Sequence, residues 1–99
     1  MREIYDLILA TGREFGPVVE DPKKTSIHLN RKSAFAGIST TRHALSLTVK
    51  AAREISDDRI KVSQRASAGR WYNTIKLSSP DEFDSKIVGW LRESYEMSG

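Results

Sequence analysis

Lysine, arginine and histidine are the side chains of this chain whose types and placement could do chemistry, namely the binding of an anion. The 99 residues carry 16 Lys and Arg against 13 Asp and Glu, a net charge of +3. Segment 22–76 holds twelve cations and three acids, a balance of +9, while segments 1–21 and 77–99 carry −3 each. A basic middle between acidic ends predicts a surface that attracts phosphate or carboxylate groups.

Catalytic and metal chemistry have little support in the sequence. There is no cysteine, so thiol catalysis, disulfides and cysteine-ligated metals are excluded. No glycine-rich phosphate loop or nucleophile elbow occurs, and His28 and His43 have no acid at ligand spacing. Asp57-Asp58 after Ser56 is typical of a solvated turn. We expect no catalytic residue, metal or cofactor, although a Ser–His–acid triad stays open because triads are defined by geometry.

The basic middle is predicted to form an antiparallel sheet that would carry these cations. Apolar and polar residues alternate there with period two, which indicates one buried and one polar sheet face. The predicted strands cover 26–30, 34–38, 44–50, 60–63 and 71–77, with a short first one at 18–19. Trp71 falls on the buried face and only Tyr72 on the polar face, which argues against an aromatic platform for bases. Segment 51–58 is expected to be irregular.

The polar face would bring many of the cations together. It is predicted to display Ser26, His28, Asn30, Ser46, Thr48, Lys50, Lys61, Ser63, Tyr72, Thr74 and Lys76. Arg59, Arg65 and Arg70 would lie at strand ends, and Lys24 in a turn. If these side chains converge, they form an anion site. If they do not, they only keep the sheet soluble and its edges unpaired.

The acidic ends are predicted to be two helices that cover the other sheet face. Apolar residues recur at helical spacing from Ile4 to Phe15, and Gly16-Pro17 ends that helix. The run 79–82, Ser-Pro-Asp-Glu, fits a capping box and predicts that the last helix starts there, with an apolar stripe up to Tyr95. The fold class is therefore a single α+β domain over 1–99, with both helices packed on one face of a four- to six-stranded antiparallel sheet.

Several segments resemble a bacterial family catalogued as domain of unknown function 5655. The segments that carry the resemblance are 21–29 (DPKKTSIHL), 33–37 (SAFAG), 58–60 (DRI), 67–72 (SAGRWY), 79–82 (SPDE) and 90–96 (WLRESYE). The resemblance spans nearly the whole chain. It brings no reaction and no ligand with it, although the domain also occurs attached to larger proteins, some with nuclease-like regions.

The family resemblance implies which polar positions are special. Lys24, His28, Arg59 and Arg70 match its pattern at places where core packing would not require them. Family members often have histidines after the arginine–aromatic pair of the late strand, where this chain has Tyr72 and Asn73. No role that needs an imidazole is therefore expected at those two positions.

These observations support three hypotheses. The first is a non-enzymatic module that binds an anionic ligand, nucleic acid or an acidic partner included, through a basic sheet face. The residues expected to bind the anion are Lys24, His28, Arg59, Arg70, Lys61 and Lys76. The second is a protein–protein interaction or homodimerisation domain, because sheet edges can pair with further strands. The third is an enzyme in which His28 lies beside an acid or a serine in a cleft.

The compartment and the oligomeric state follow only as expectations. The acidic residues Glu3 and Asp6 in segment 1–6 interrupt the apolar run that a signal peptide needs, and no apolar stretch reaches membrane-spanning length. With the absence of cysteine, this predicts a cytoplasmic protein without a membrane partner, either a monomer or a homodimer.

Overall fold

A six-stranded antiparallel sheet and two helices make up the computed structural model, which describes residues 2–99. The elements are α1 (Arg2–Phe15), β1 (Val19–Pro22), β2 (Ile27–Asn30), β3 (Ala34–Thr40), β4 (Leu45–Ala51), β5 (Ile60–Ser67), β6 (Arg70–Leu77), a short 3-10 helix (Pro80–Glu82) and α2 (Ser85–Met97). The strand order is β1-β2-β3-β4-β6-β5, so β1 and β5 are the edges. The predicted α+β architecture is confirmed, with an N-terminal helix, the sheet and a C-terminal helix.

The core lies between the helices and one face of the sheet. Ile8 of α1 and Leu91 of α2 are fully buried in the same cluster as Leu47 and Ile75 of the central strands. Because these residues come from alternate strand positions and from one stripe of each helix, the opposite sheet face stays free of helices. We call that opposite side the open face.

The start of α2 differs from the sequence-based prediction. The capping box is present, but it caps the 3-10 helix Pro80–Glu82, in which Glu82 Oε1 accepts from the Ser79 N–H at 3.0 Å. The chain then turns, and α2 begins at Ser85 with Asp84 as its N-cap, whose Oδ1 accepts from Ile87 N at 3.1 Å. Two consecutive cap signals were available, and the second one starts the α-helix.

The direction of side chains in β5 is a second difference. The prediction placed Val62 inward and Ser63 on the polar face. A bulge at Lys61 adds one residue to the strand, so Val62 pairs with Thr74 on the open face and is 55% exposed. Ser63 instead turns to the core side, where its hydroxyl contacts Oδ1 of the buried Asn73 at 2.7 Å.

Two connecting regions match their predictions. Helix α1 ends at Phe15, directly before Gly16-Pro17. No helix or strand forms between the end of β4 at Ala51 and the start of β5, so segment 52–58 is irregular as expected, whereas Ala51, predicted to be irregular, belongs to β4. Among the described residues, no helix is long and apolar enough to cross a membrane.

Candidate functional site

The open face carries a groove of about 590 Å³ that follows strand β3. Its floor is segment 34–39, and Ser26 and His28 form the wall on the β2 side. The other wall comes from β4, β6 and β5 and consists of Thr48, Lys50, Tyr72, Thr74, Val62 and Gln64. Clefts of this size are typical of sites for small ligands.

Small side chains on β3 create the depression. Ala34, Gly37 and Ser39 line the groove, while the neighbouring strands carry larger side chains. Strand pairing places His28, Gly37 and Thr48 side by side across three strands. Because Gly37 has no side chain, a gap is left between His28 and Thr48 at this point of the floor.

The groove wall is polar but contains no carboxylate. Thr48 and Thr74 are cross-strand neighbours whose hydroxyl oxygens lie 2.9 Å apart, and Tyr72 and Gln64 continue the polar wall. Hydroxyl groups can donate to an anion as well as accept. His28 and Lys50 are the basic side chains in the lining. The lining thus combines positive charge with hydrogen-bond donors.

Lys50 is the charged residue whose environment differs most from the one predicted from the sequence. It was expected to lie solvated on the polar face, but it is only 6% exposed. Its ammonium donates to the hydroxyls of Ser33 and Ser98 at 2.9 and 3.0 Å. No ion pair within residues 2–99 includes it. Burial lowers its pKa below the ordinary lysine value, and the nearby charge of Arg70 lowers it further.

An opening between β3 and β4 accommodates this buried lysine. Regular pairing of the two strands stops at Ala36 and Val49. Beyond that point the hydroxyl of Ser94, from α2, accepts from the Lys50 backbone N–H at 2.8 Å and donates to the Phe35 carbonyl at 2.5 Å. The serine thus bridges the two strands where they separate. The C-terminal end of α2, with its partial negative charge, lies next to the Lys50 ammonium.

His28 lines the groove as a half-buried residue. Its cross-strand neighbour on β1 is Asp21, whose carboxylate is engaged by Lys23 at 2.9 Å. That contact is the main reason why the pKa of Asp21 is lowered. Within the described residues, the imidazole of His28 makes no hydrogen bond to a serine or an acid.

The other predicted cations lie around the groove rather than in it. Arg70 is exposed at the start of β6, two residues before Tyr72 on the same face, and Lys76 is exposed farther along that strand. Lys61 occupies the bulge of the edge strand β5. Lys24 lines a separate depression, which meets the groove at Ser26 and at the far end of β3.

Arg59 lies away from the groove and pairs with acids of its own chain. Its guanidinium contacts Asp57 Oδ1 at 3.2 Å and Asp84 Oδ2 at 2.8 Å, and it lies 5.5 Å from the ring centre of Trp90. Lys86 binds the other carboxylate oxygen of Asp57 at 2.9 Å. Arg59 therefore connects the loop before β5 to the start of α2 through ion pairs.

This ion cluster predicts an acid-sensitive contribution to stability. The backbone N–H of Arg59, followed by the Lys86 and Arg59 side chains, holds the pKa of Asp57 well below its usual range. Because the folded pKa is lower than the unfolded one, the stabilisation is complete above about pH 5 and is lost as the pH falls further. We expect Asp57→Asn to lower Tm by a few degrees at pH 7 and to flatten the fall in Tm between about pH 5 and 2.

The neighbouring acid provides the control for that measurement. Asp58 is exposed and takes part in no ion pair within residues 2–99. Thermal melts of Asp58→Asn should follow the wild-type curve at every pH. Equal effects of the two substitutions would mean that the Asp57 cluster adds no stability beyond general charge.

Two residues that matter for the groove escaped prediction as site residues, namely Lys50 and Gly37. The alternation of small residues on β3 was a visible signal for Gly37. Lys50 was predicted on the polar face with the other cations, but nothing in the sequence indicated its burial, which depends on α2. In the part of the chain that is described, no group of three or more His, Asp or Glu is arranged to hold a metal ion.

Comparison with known proteins supports the resemblance found in the sequence. Residues 1–98 match the family model described as Domain of unknown function (DUF5655). No curated protein and no solved structure matched the chain. Because the family match covers all but the last residue, the chain belongs to the family described as Domain of unknown function (DUF5655).

Proposed function

We propose that this protein is a binding module that takes up an anionic ligand in the open-face groove. The observation that carries the proposal is Lys50, a buried cation at the groove with hydroxyl partners but no carboxylate partner among residues 2–99. A charge removed from water is costly unless a counter-charge compensates it. The C-terminal end of α2 compensates part of this charge, and an anion in the groove would supply the rest.

The size and lining of the groove favour a small ligand or a short part of a larger one. A volume of about 590 Å³ holds a molecule of metabolite size. The threonine hydroxyls, Tyr72 and Gln64 supply donors that a phosphate or carboxylate group can use. Arg70 and Lys76, exposed on the same face, would attract a phosphate backbone, so single-stranded nucleic acid belongs to the candidate ligands.

The proposal predicts binding that depends on Lys50. Isothermal titration at about 50 mM salt, where electrostatic binding is strong, should show heat with inorganic phosphate, adenosine monophosphate or a ten-nucleotide single-stranded DNA. Lys50→Met should weaken that binding by about tenfold or more, which corresponds to about 1.4 kcal/mol. Methionine matches the length of the lysine side chain, and replacing a buried charge by an apolar group is often tolerated by the fold.

Lys32→Met is the matched control, since it removes the same charge at an exposed position outside the groove. The affinity of this variant should stay within about twofold of the wild type, because exposed charges are screened by salt. No binding of any of the three probes would refute the proposal. So would equal losses in the Lys50 and Lys32 variants, because binding would then reflect net charge alone.

A second candidate function is pairing of β5 with a strand of another molecule. One observation favours it: β5 is an eight-residue edge strand that pairs only with β6 within the described chain, and most of its residues are exposed. Two bulges and the side chains of Lys61 and Arg65 oppose regular pairing with a second copy. Self-association is therefore the less supported of the two candidate functions. Sedimentation velocity at several concentrations tests it, because a protein that pairs through β5 would form larger species as its concentration rises.

A further inference from the structure

The space above Gly37 has a defined width. A carbon in the position of a Cβ on Gly37 would lie 3.8 Å from Thr48 Cβ, 3.9 Å from His28 Cδ2 and 4.0 Å from His28 Nε2. These are ordinary van der Waals contacts on both sides. The gap between His28 and Thr48, which we call the slot, is therefore one carbon atom wide at its floor.

The slot is narrow across the strands, and the groove floor to which it belongs is long in the strand direction. The floor segment 34–39 extends over about 17 Å at about 3.4 Å per residue. A tetrahedral or branched group such as a sugar is too thick to reach the floor between the two walls. A group that is one atom thick, either a flat ring standing on edge or an extended hydrocarbon chain, fits this shape.

The polarity of the walls distinguishes these two shapes. His28 Nε2 borders the slot, and the Thr48 and Thr74 hydroxyls line the same side of the groove. A hydrocarbon chain would bury His28 Nε2, and the hydroxyl hydrogen that the Thr48–Thr74 pair leaves free, without a partner, which costs free energy. The edge of a heteroaromatic ring carries nitrogen and oxygen atoms that can pair with them, so the walls favour the ring.

The position of Lys50 indicates that the ligand carries a negative charge. Lys50 follows Thr48 by two residues and lines the same groove, so its Cα lies about 7 Å farther along β4, and its side chain continues toward Ser33 and Ser98. This spacing suits a charged substituent that is joined to a ring through a few bonds. A ligand with its ring in the slot would therefore direct its anionic group along β4 toward the Lys50 side chain.

We propose that the groove recognises a planar heteroaromatic group with an anionic substituent, with the ring standing on Gly37 between His28 and Thr48. The inference rests on the proposed function, because it extends the same anion site. The chemistry is shared by free mononucleotides and by the bases of a single-stranded nucleic acid. Gly37 is then the residue that sets the specificity, because any side chain there would occupy the slot.

Gly37→Ala tests this assignment without disturbing the fold. Gly37 has no positive φ, and the added methyl group would make only ordinary contacts. Its Tm should remain equal to that of the wild type or rise, because alanine restricts the unfolded chain. We expect the variant to lose at least about tenfold in affinity for adenosine monophosphate, about 1.4 kcal/mol, while its affinity for inorganic phosphate stays unchanged.

Gly89→Ala is the matched control, because a Cβ at this exposed position of α2 meets no atom within 4 Å. Its affinities should equal those of the wild type. In the wild type, adenosine monophosphate should bind at least about tenfold more tightly than ribose 5-phosphate, which has the same anion without the ring. Uridine monophosphate and the ten-nucleotide DNA represent the two sources of the ring, a free nucleotide and a single strand. Comparison of their affinities shows which of the two the groove prefers.

The outcomes separate this inference from the proposed function. If inorganic phosphate binds and depends on Lys50, but adenosine monophosphate binds no better than ribose 5-phosphate, the anion site stands and the planar ligand is refuted. The planar ligand is also refuted if Gly37→Ala leaves nucleotide binding intact, or if octanoate binds more tightly than adenosine monophosphate. If none of these anions binds, the proposed function and this inference fail together.

Discussion

Replacing Ser94 by alanine is expected to lower the free energy of unfolding by about 2–4 kcal/mol, because two buried backbone groups lose their partner. The Ser94 hydroxyl is fully buried and bridges the N–H of Lys50 and the carbonyl of Phe35. Each buried group left without a hydrogen bond costs about 1–3 kcal/mol. The small gain in helix propensity from alanine offsets only a fraction of this loss.

Urea denaturation followed by circular dichroism measures the effect. Ser85→Ala is the control, because Ser85 is an exposed serine in the first turn of the same helix. It should change the free energy of unfolding by less than about 0.5 kcal/mol. A loss below about 1 kcal/mol in Ser94→Ala would mean that β3 and β4 close and pair directly, so that the serine is not needed.

The Ser94 bridge also matters for the groove. It lies where Lys50 leaves the sheet and approaches Ser98 at the end of α2. A variant that closes the strands would move this lysine. The stability measurement and the anion titration on Ser94→Ala therefore report on the same local structure.

Replacing Gly16 by alanine is expected to cost about 2–4 kcal/mol, because backbone strain and a steric clash act together. Gly16 has φ of 154°, a conformation that L side chains rarely adopt. A Cβ there would also run into the hydroxyl of Tyr95. That hydroxyl donates to the Pro17 carbonyl at 3.0 Å, and it would have to move to make room.

Gly69→Ala is a comparison without a steric clash. Gly69 also has positive φ, 71°, but a Cβ there meets no atom within 4 Å. Its substitution should therefore show the backbone cost alone, about 1 kcal/mol. Thermal and urea unfolding of both variants gives the difference, which combines the Tyr95 contact with the higher backbone cost of φ 154° compared with φ 71°. Equal losses in the two variants would show that the region around Tyr95 relaxes freely.

Much of the fold could be predicted because local patterns decide it. The stripe from Ile4 to Phe15 and the Gly16-Pro17 stop define α1, and period-two alternation defines the strands. The errors in the predicted fold came from features that local sequence patterns do not determine. A bulge at Lys61 reverses the facing of the residues that follow it in β5, and nothing in the sequence marks it. The predicted start of α2 was wrong because two N-cap motifs follow one another in the chain.

The candidate site was less predictable than the fold. His28 was predicted on the open face and lines the groove. Arg59 was also among the residues expected to bind the anion, but it lies elsewhere and binds Asp57 and Asp84. A charge count over a segment cannot tell a free cation from one that is neutralised by an acid distant in the chain.

The sequence by itself determined the class of the fold, the family and the charge asymmetry between the middle of the chain and its ends. These depend on local periodicity, short motifs and composition, all of which are readable along the chain. Only the tertiary structure decided that Lys50 is buried and Arg59 neutralised, and that Gly37 lies between His28 and Thr48. The physical reason is that a charge or a gap acquires its role from the neighbours that long-range packing brings to it.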